Sequence, residues 1–205
     1  MEKLDYKKVY SDLYLPKKAV SEVTVLAIPF IGVDGRGLPG SGEFQSTVAL
    51  LYSYAFTIKM SKLSGDAPAG YFEYVVPPLE GLYGTEAQPF SYFDQSTWAW
   101  TLMIRQPDFV TPQVFAGTRE ALRKKKPELA VDQARFFTFE EGRCIQIMHI
   151  GSYESLYASG AKLEAYAREQ GLRIAGRHHE INLSDPRRTR PEKLKTVLRA
   201  QVTAQ

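Results

Sequence analysis

The stretch Phe136-Phe137-Thr138-Phe139-Glu140-Glu141-Gly142-Arg143-Cys144-Ile145-Gln146-Ile147-Met148-His149-Ile150-Gly151-Ser152 decides how this chain is read. Two runs rich in aromatic and β-branched residues flank Glu140-Glu141-Gly142. Residues 134–139 and 143–150 therefore read as two strands joined in a hairpin. Ser152 caps a helix over 153–170, with Leu156, Gly160, Leu163 and Ala167 on one face and Gly171 just past its end. Residues 172–183 follow as a strand, 184–191 as a loop and 194–202 as a last strand.

Working back toward the N-terminus, the same order appears. Residues 22–33 carry the β-branched run Val23-Thr24-Val25-Leu26-Ala27-Ile28, a strand broken or bulged at Pro29. Residues 34–40 are a Gly- and Pro-rich loop. Ser41 is an N-cap with Glu43 in the first turn. Phe44, Val48, Leu51, Ala55 and Ile58 then keep helical spacing, so 42–63 is a long amphipathic helix. Residues 71–76 are strand-like up to Pro77-Pro78, 79–83 form a short strand, 84–96 a loop and 98–104 a strand. Thr111 before Pro112 starts a helix that runs to about Lys126. Residues 1–20 read as an extended arm lying on the domain. The expected fold class is α+β: duplicated β-α-β-β modules with antiparallel sheets and a ligand pocket at their junction. A single domain is expected over 1–205, with an arm at 1–20, module one at about 21–110 and module two at about 111–205.

Composition excludes several classes. One cysteine, Cys144, rules out an internal disulfide and cysteine metal clusters, and its apolar setting marks it as buried and inert. No signal peptide and no run of transmembrane length is read, so a cytoplasmic location is expected and no membrane partner. The net charge is only +3. The basic clusters Lys124-Lys125-Lys126 and Arg187-Arg188-Thr189-Arg190 read as solvated surface, and no nucleic-acid-binding motif accompanies them, so direct nucleic-acid binding is not expected. The three histidines have no metal-ligand spacing. No phosphate loop, dinucleotide fingerprint or Ser-His-Asp context is present, so neither metal nor cofactor is expected. Oligomeric state is not read from the sequence.

Four strings resemble the GyrI-like small-molecule-binding family. They are Tyr74-Val75-Val76-Pro77-Pro78-Leu79-Glu80-Gly81-Leu82, Trp98-Ala99-Trp100-Thr101-Leu102-Met103-Ile104-Arg105-Gln106-Pro107, Gln146-Ile147-Met148-His149-Ile150-Gly151, and His178-His179-Glu180-Ile181-Asn182-Leu183-Ser184-Asp185-Pro186-Arg187-Arg188 with its continuation Pro191-Glu192-Lys193-Leu194-Lys195-Thr196. The resemblance spans nearly the whole chain and is most specific at the C-terminal string. It points to the stand-alone branch, without a DNA-binding domain. It implies the duplicated β-α-β-β fold, shared with effector-binding domains of multidrug-sensing regulators and a gyrase inhibitor. That branch includes hydrolases that open the cyclopropane ring of DNA-alkylating antibiotics of the yatakemycin and duocarmycin type. Two positions depart from the pattern: Tyr83-Gly84 stands where a Trp pair is common, and Asn182 where Tyr is common.

On a strand Glu180 shares a face with His178 and Asn182, while His179 and Ile181 take the other. Read alone, Glu180 is an exposed edge-strand residue. The resemblance reverses this and implies a pocket carboxylate that attracts cationic ligands or acts as a general base on water. Glu80 is the second catalytic candidate, weighed equally against a turn residue satisfying backbone donors. Tyr71, Tyr74, Trp98 and Trp100 are the candidate aromatic walls. Trp98 and Trp100 share a face and Tyr71 and Tyr74 do not. His149 and His178 complete the candidate ligand-binding set, with His149 reading more simply as a satisfied structural histidine. The partner expected is an aromatic or planar small molecule. The resemblance implies a cyclopropane-opening hydrolase with Glu180 activating water. The alternatives are a non-catalytic binder or sensor of planar, often cationic, drugs, and a protein-interaction module.

Overall fold

The computed structural model describes residues 3–84 and 98–204. Their strands are β1 (Ser21–Val25), β2 (Ile28–Arg36), β3 (Leu79–Tyr83), β4 (Ala99–Arg105), β5 (Arg135–Phe139), β6 (Gly142–Ile150), β7 (Leu172–Asn182) and β8 (Lys195–Ala204). The helices are α1 (Tyr6–Val9), α2 (Ser11–Tyr14), α3 (Gly42–Met60), α4 (Pro112–Lys125) and α5 (Leu156–Glu169). The strands form one sheet in the order β1-β6-β8-β7-β3-β4-β2-β5, and every pairing between them is antiparallel. Exchanging β1–β4 for β5–β8 reverses this order, so the two halves are related by a pseudo-twofold. This is the duplicated β-α-β-β architecture. The halves meet where β3 pairs with β7, Gly81 opposite Glu180.

Helix starts follow local chemistry. The Ser41 hydroxyl accepts the Phe44 N–H at 3.3 Å, and the Thr111 hydroxyl accepts that of Val114 ahead of Pro112 in the first turn of α4. A 3-10 turn over Ser61–Ser64 ends α3 at Gly65, whose positive φ of 80° favours glycine. Helix α3 packs on β2 and β4, and α5 on β6, β7 and β8. Leu156, Leu163 and Ala167 of α5 bury against Ile145, Ile147, Leu198, Ala200 and Val202, each large side chain contributing about 1.5–3 kcal/mol.

Four expectations are corrected. Residues β5 and β6 do not form a hairpin: β5 pairs with β2, and β6 pairs with β1 and β8. The chain passes straight through Glu140-Glu141 and exchanges partners. The ladder is in one continuous register on both sides, Val25 opposite Gly142 and then Ile28 opposite Phe139. Leu26-Ala27 and Glu140-Glu141 form the corner of a long bent ribbon, which brings β1 and β2, from opposite parts of the strand order, within about 10 Å of each other. The strand break therefore lies at Leu26-Ala27. Pro29 sits inside β2 opposite Thr138; its carbonyl accepts from Gln106 N beyond the end of β4, so its missing N–H costs no ladder bond. The arm is not extended but makes two helical turns that bury Tyr6, Leu13 and Tyr14. Residues 71–76 form no strand, because their partner is the arm, through one parallel bridge between Leu4 and Tyr74. Of the loop expected over 84–96, residues 85–96 lie outside the described residues.

The inside of the corner is filled by charge. His179 is 1 % exposed and Glu141 2 %. His179 Nδ1 lies 3.0 Å from Glu141 Oε2, and Nε2 lies 3.0 Å from Glu80 Oε2. With a carboxylate at each nitrogen both must donate, so the ring is an imidazolium. Tyr14 OH donates to Glu80 at 3.2 Å. Arg199 donates to Glu141, to Gln146 Oε1 and to Leu13 O, and Gln146 donates to Asp12 O. The network thus ties the arm to β3, β6, β7 and β8.

Burial alone would lower the His179 pKa. Glu141 first and Glu80 second outweigh it and raise the pKa from 6.5 to about 9. A raised folded-state pKa gives stability that is fully present below pH 6.5, declines from there to about 9 and is lost above it, on the order of 3 kcal/mol in all. Denaturant midpoints should therefore fall across that window. Glu141→Gln should flatten the fall, while lowering stability at neutral pH. A midpoint that stays constant from about pH 6.5 to about 9.5 contradicts this.

Candidate functional site

In β7 the side chain of His179 points into the charged corner, so its neighbours His178 and Glu180 point to the opposite, helix-bearing face. Glu180 is 6 % exposed. It lies between Gly81 of β3 and Leu198 of β8, and its Oε1 is 3.0 Å from His178 Nε2, which donates to it. Asn182 follows on the same face, and its Oδ1 accepts the hydroxyl of Tyr153 at 3.3 Å. Tyr153 begins the 3-10 turn ahead of α5.

Tyr83 supplies the wall beside this carboxylate. Gly81 has no side chain, and a Cβ there would come within 2.8–3.0 Å of the Tyr83 ring and hydroxyl. The ring therefore lies down over Gly81, the cross-strand neighbour of Glu180. Its centroid is 5.5 Å from that of Trp98 and 6.3 Å from that of His178. Burial, and then the charge of Glu180, raise the Tyr83 pKa well above its ordinary value. The same causes, with Asp185 and Tyr52 adding to them, push Tyr153 up to about 12. Both hydroxyls stay protonated at neutral pH and serve as donors beside a carboxylate. Burial also raises the Cys144 thiol to about 12, which leaves it unreactive.

The structure brings Glu180, His178 and Trp98 together and places the other candidates elsewhere. Glu80 is opposite Ile181, on the corner side of the sheet, and is engaged by His179 and Tyr14. The two glutamates therefore do not share one site, because adjacent register positions face opposite ways. Trp100 is opposite Tyr83 in the ladder, but its indole turns over Gly35, edge-on to Phe44, and donates to Gly37 O at 3.1 Å. Tyr71 donates to Lys59 O at 2.7 Å, and with Tyr74 packs around Phe109. His149 is bonded to Ser159 at 2.9 Å and to Ser155 and Ser152 O, pinning α5 to β6. Tyr83 and Tyr153 are not among the candidates the sequence offers. Tyr83 was visible only as a departure from a family pattern, and Tyr153 had no signal beyond standing next to a helix cap.

Among the described residues, no group of His, Cys, Asp and Glu is arranged to hold a metal ion, and no helix is long and apolar enough to cross a membrane. The paired modules thus hold a buried polar cluster at their junction, around Glu180. Residues 18–202 match the GyrI-like small-molecule-binding domain, and the chain belongs to that family. It is similar to an uncharacterized conserved protein of Listeria innocua, at 42 % identity and a TM-score of 0.93, over 98 % of this chain and 100 % of that one. A Listeria innocua protein described as a hydrolase is 40 % identical, with a TM-score of 0.89 over 98 % of this chain and 100 % of that one. The C-terminal domain of EcmrR shares the fold alone, at 11 % identity and a TM-score of 0.54 over 91 % of this chain and 97 % of that one. No curated protein matches the chain.

Gly81→Ala tests the wall. The added methyl must push the Tyr83 ring off its seat, at a cost of about 1–3 kcal/mol. The expected result is a lower thermal midpoint and a displaced Tyr83 in a crystal structure. An unchanged midpoint with Tyr83 in place would show that the contact yields freely.

Proposed function

We propose that this protein is a hydrolase that opens the cyclopropane ring of planar, DNA-alkylating natural products of the yatakemycin and duocarmycin type, with Glu180 activating the water. The observation that carries the reading is the buried Glu180 carboxylate, held by His178 and flanked by the protonated hydroxyls of Tyr83 and Tyr153. The similarity to a Listeria innocua protein described as a hydrolase supports it. A base and hydrogen-bond donors at one junction suit addition of water to a strained ring conjugated to a carbonyl.

In the proposed step a water oxygen bonds to the ring methylene and a ring carbon–carbon bond breaks. The released electron pair flows through the conjugated system to the carbonyl oxygen, giving a phenolate. Glu180 takes a proton from the water. The phenolate is stabilised by a tyrosine hydroxyl as charge develops, and gains the proton when Glu180 is reset. The sum is the addition of one water. Ring strain already makes the ligand reactive, so positioning and charge stabilisation suffice. Trp98 and Tyr83, whose rings pack 5.5 Å apart, are the aromatic residues that would border a planar ligand beside Glu180.

The test is incubation with a cyclopropyl alkylator and mass analysis for the gain of one water. Glu180→Gln keeps the shape but deletes the base. Turnover should fall by ~10²–10⁴-fold with binding retained. A Glu180→Gln protein as fast as the wild type removes Glu180 from the mechanism. A wild type that binds the compound but leaves its mass unchanged is a sequestering binder instead.

A further inference from the structure

Along one face of β7 three polar side chains stand in a row, His178, Glu180 and Asn182. His178 holds the carboxylate from one side. On the other side Asn182, half-buried and paired with Leu79 of β3 and Thr196 of β8, accepts the Tyr153 hydroxyl. Alternate residues of a strand stand ~7 Å apart. The Asn182 end of the row, where this hydroxyl rests, is therefore set off from the carboxylate by roughly the width of a six-membered ring. In the proposed step the electron pair travels through a conjugated ring, so the oxygen that gains charge lies at a distance of that kind from the carbon that gains water.

The two tyrosines of the site are not equivalent. The Tyr83 hydroxyl lies over Gly81, 2.9 Å from where a Cβ would stand, and Gly81 is directly opposite Glu180. That hydroxyl is beside the base itself, on a ring that is 3 % exposed. Tyr153 is 40 % exposed and reaches in from the 3-10 turn ahead of α5, with its hydroxyl at the other end of the row. Its bond to Asn182 is 3.3 Å long, against about 2.7–2.8 Å for an ordinary O–H···O bond, and the acceptor is a neutral amide. An oxygen that gains negative charge is a better acceptor, since charge-assisted bonds are shorter and stronger. The Tyr153 hydroxyl thus gains most as charge develops, which is what lowers a barrier rather than only tightening binding.

We propose that Tyr153 is the hydroxyl that stabilises the developing oxyanion, and that Asn182 is a positioning residue, which seats this hydroxyl at the far end of the row until a charged oxygen takes it over. The assignment rests on the reading of Glu180 as the base. Tyr153 keeps its proton throughout and lends a hydrogen bond; the bonds made and broken are those of the proposed step. The substrate it selects carries its acceptor oxygen about a ring's width from the carbon that water attacks.

4-Nitrophenol tests this without turnover, because its colour follows its ionisation. Glu180→Gln removes the carboxylate that repels a phenolate, and 4-nitrophenolate should bind that protein. Adding Tyr153→Phe should weaken the phenolate by ~10-fold or more, as for loss of a hydrogen bond to a charged group. 4-Nitroanisole, which cannot ionise, should bind as before, and Tyr83→Phe should cost the phenolate less. Asn182→Leu should weaken the phenolate while the Tyr153 hydroxyl is present and have no further effect in the Tyr153→Phe protein, a coupling that a merely structural role does not produce. On a cyclopropyl alkylator, Tyr153→Phe alone should lower kcat by a similar factor, with KM within about twofold. The assignment is overturned by 4-nitrophenolate that does not bind, by equal phenolate affinity with and without the Tyr153 hydroxyl, or by a larger loss in Tyr83→Phe. Additive losses from Tyr153→Phe and Asn182→Leu overturn the role of Asn182. A wild type that leaves the alkylator unchanged, while phenolate binding still depends on Tyr153, removes the hydrolytic reading and keeps the oxyanion donor. Full turnover by Tyr153→Phe keeps hydrolysis and removes the donor.

Discussion

The imidazolium of His179 between Glu80 and Glu141 is the contact on which the rest of the molecule depends. Two carboxylates, an imidazolium and the Arg199 guanidinium are withdrawn from water at the corner where β1–β2 and β5–β6 exchange partners. Taking such groups out of water costs several kcal/mol each, and only complete pairing repays it. Here the pairing is close to complete: both ring nitrogens, both carboxylates and three arms of Arg199 have partners. Losing one member strands a buried charge, so the network holds one register rather than several. It sits where the ladder has no hydrogen bonds of its own, and supplies there what the backbone does not.

The same network sets the functional face. A strand turns successive side chains to opposite sides, so once His179 is committed to the corner, His178 and Glu180 have no choice but the helix-bearing side. The position of Glu180 at the junction is thus a consequence of a contact made on the other side of the sheet. The pseudo-twofold then supplies the surroundings. One half contributes β3 with Gly81 and Tyr83, the other β7 and the turn that carries Tyr153. Neither half alone brings an acidic group and these hydroxyls together.

What was legible in the sequence was local. Ser41, Thr111-Pro112 and Gly171 mark helix ends by their own chemistry, and alternation along residues 177–183 separates Glu180 from His179 without reference to any partner. What was not legible depended on distant residues. Glu140-Glu141-Gly142 has the composition of a turn, and nothing near it announces that Glu141 is buried against His179 and Arg199. Glu80 faced the same difficulty, since its partners are Tyr14 and His179. Tyr71 and Tyr74 are aromatic in the way pocket residues are, yet their rings close the packing around Phe109. The resemblance to the family supplied what alternation could not, namely that the Glu180 side of the strand is covered.

Two glycines give the helix-bearing face its flat aromatic surfaces. Gly35 on β2 lies beneath Trp100, and Gly81 on β3 beneath Tyr83; in both places a Cβ would collide with the ring. A sheet normally lifts aromatic side chains away from the strands, edge-on to what packs above. Removing one Cβ lets a ring lie along the sheet instead, and both rings are buried there. Trp100 and Tyr83 are register partners across β4 and β3, but their rings lie over different strands, Tyr83 along β3 and Trp100 across onto β2. Tyr83 covers the strand beside Glu180, while Trp100 reaches out over β2. Each ring is thereby fixed by where a glycine falls, Tyr83 beside the Glu180 strand and Trp100 beneath α3, edge-on to Phe44.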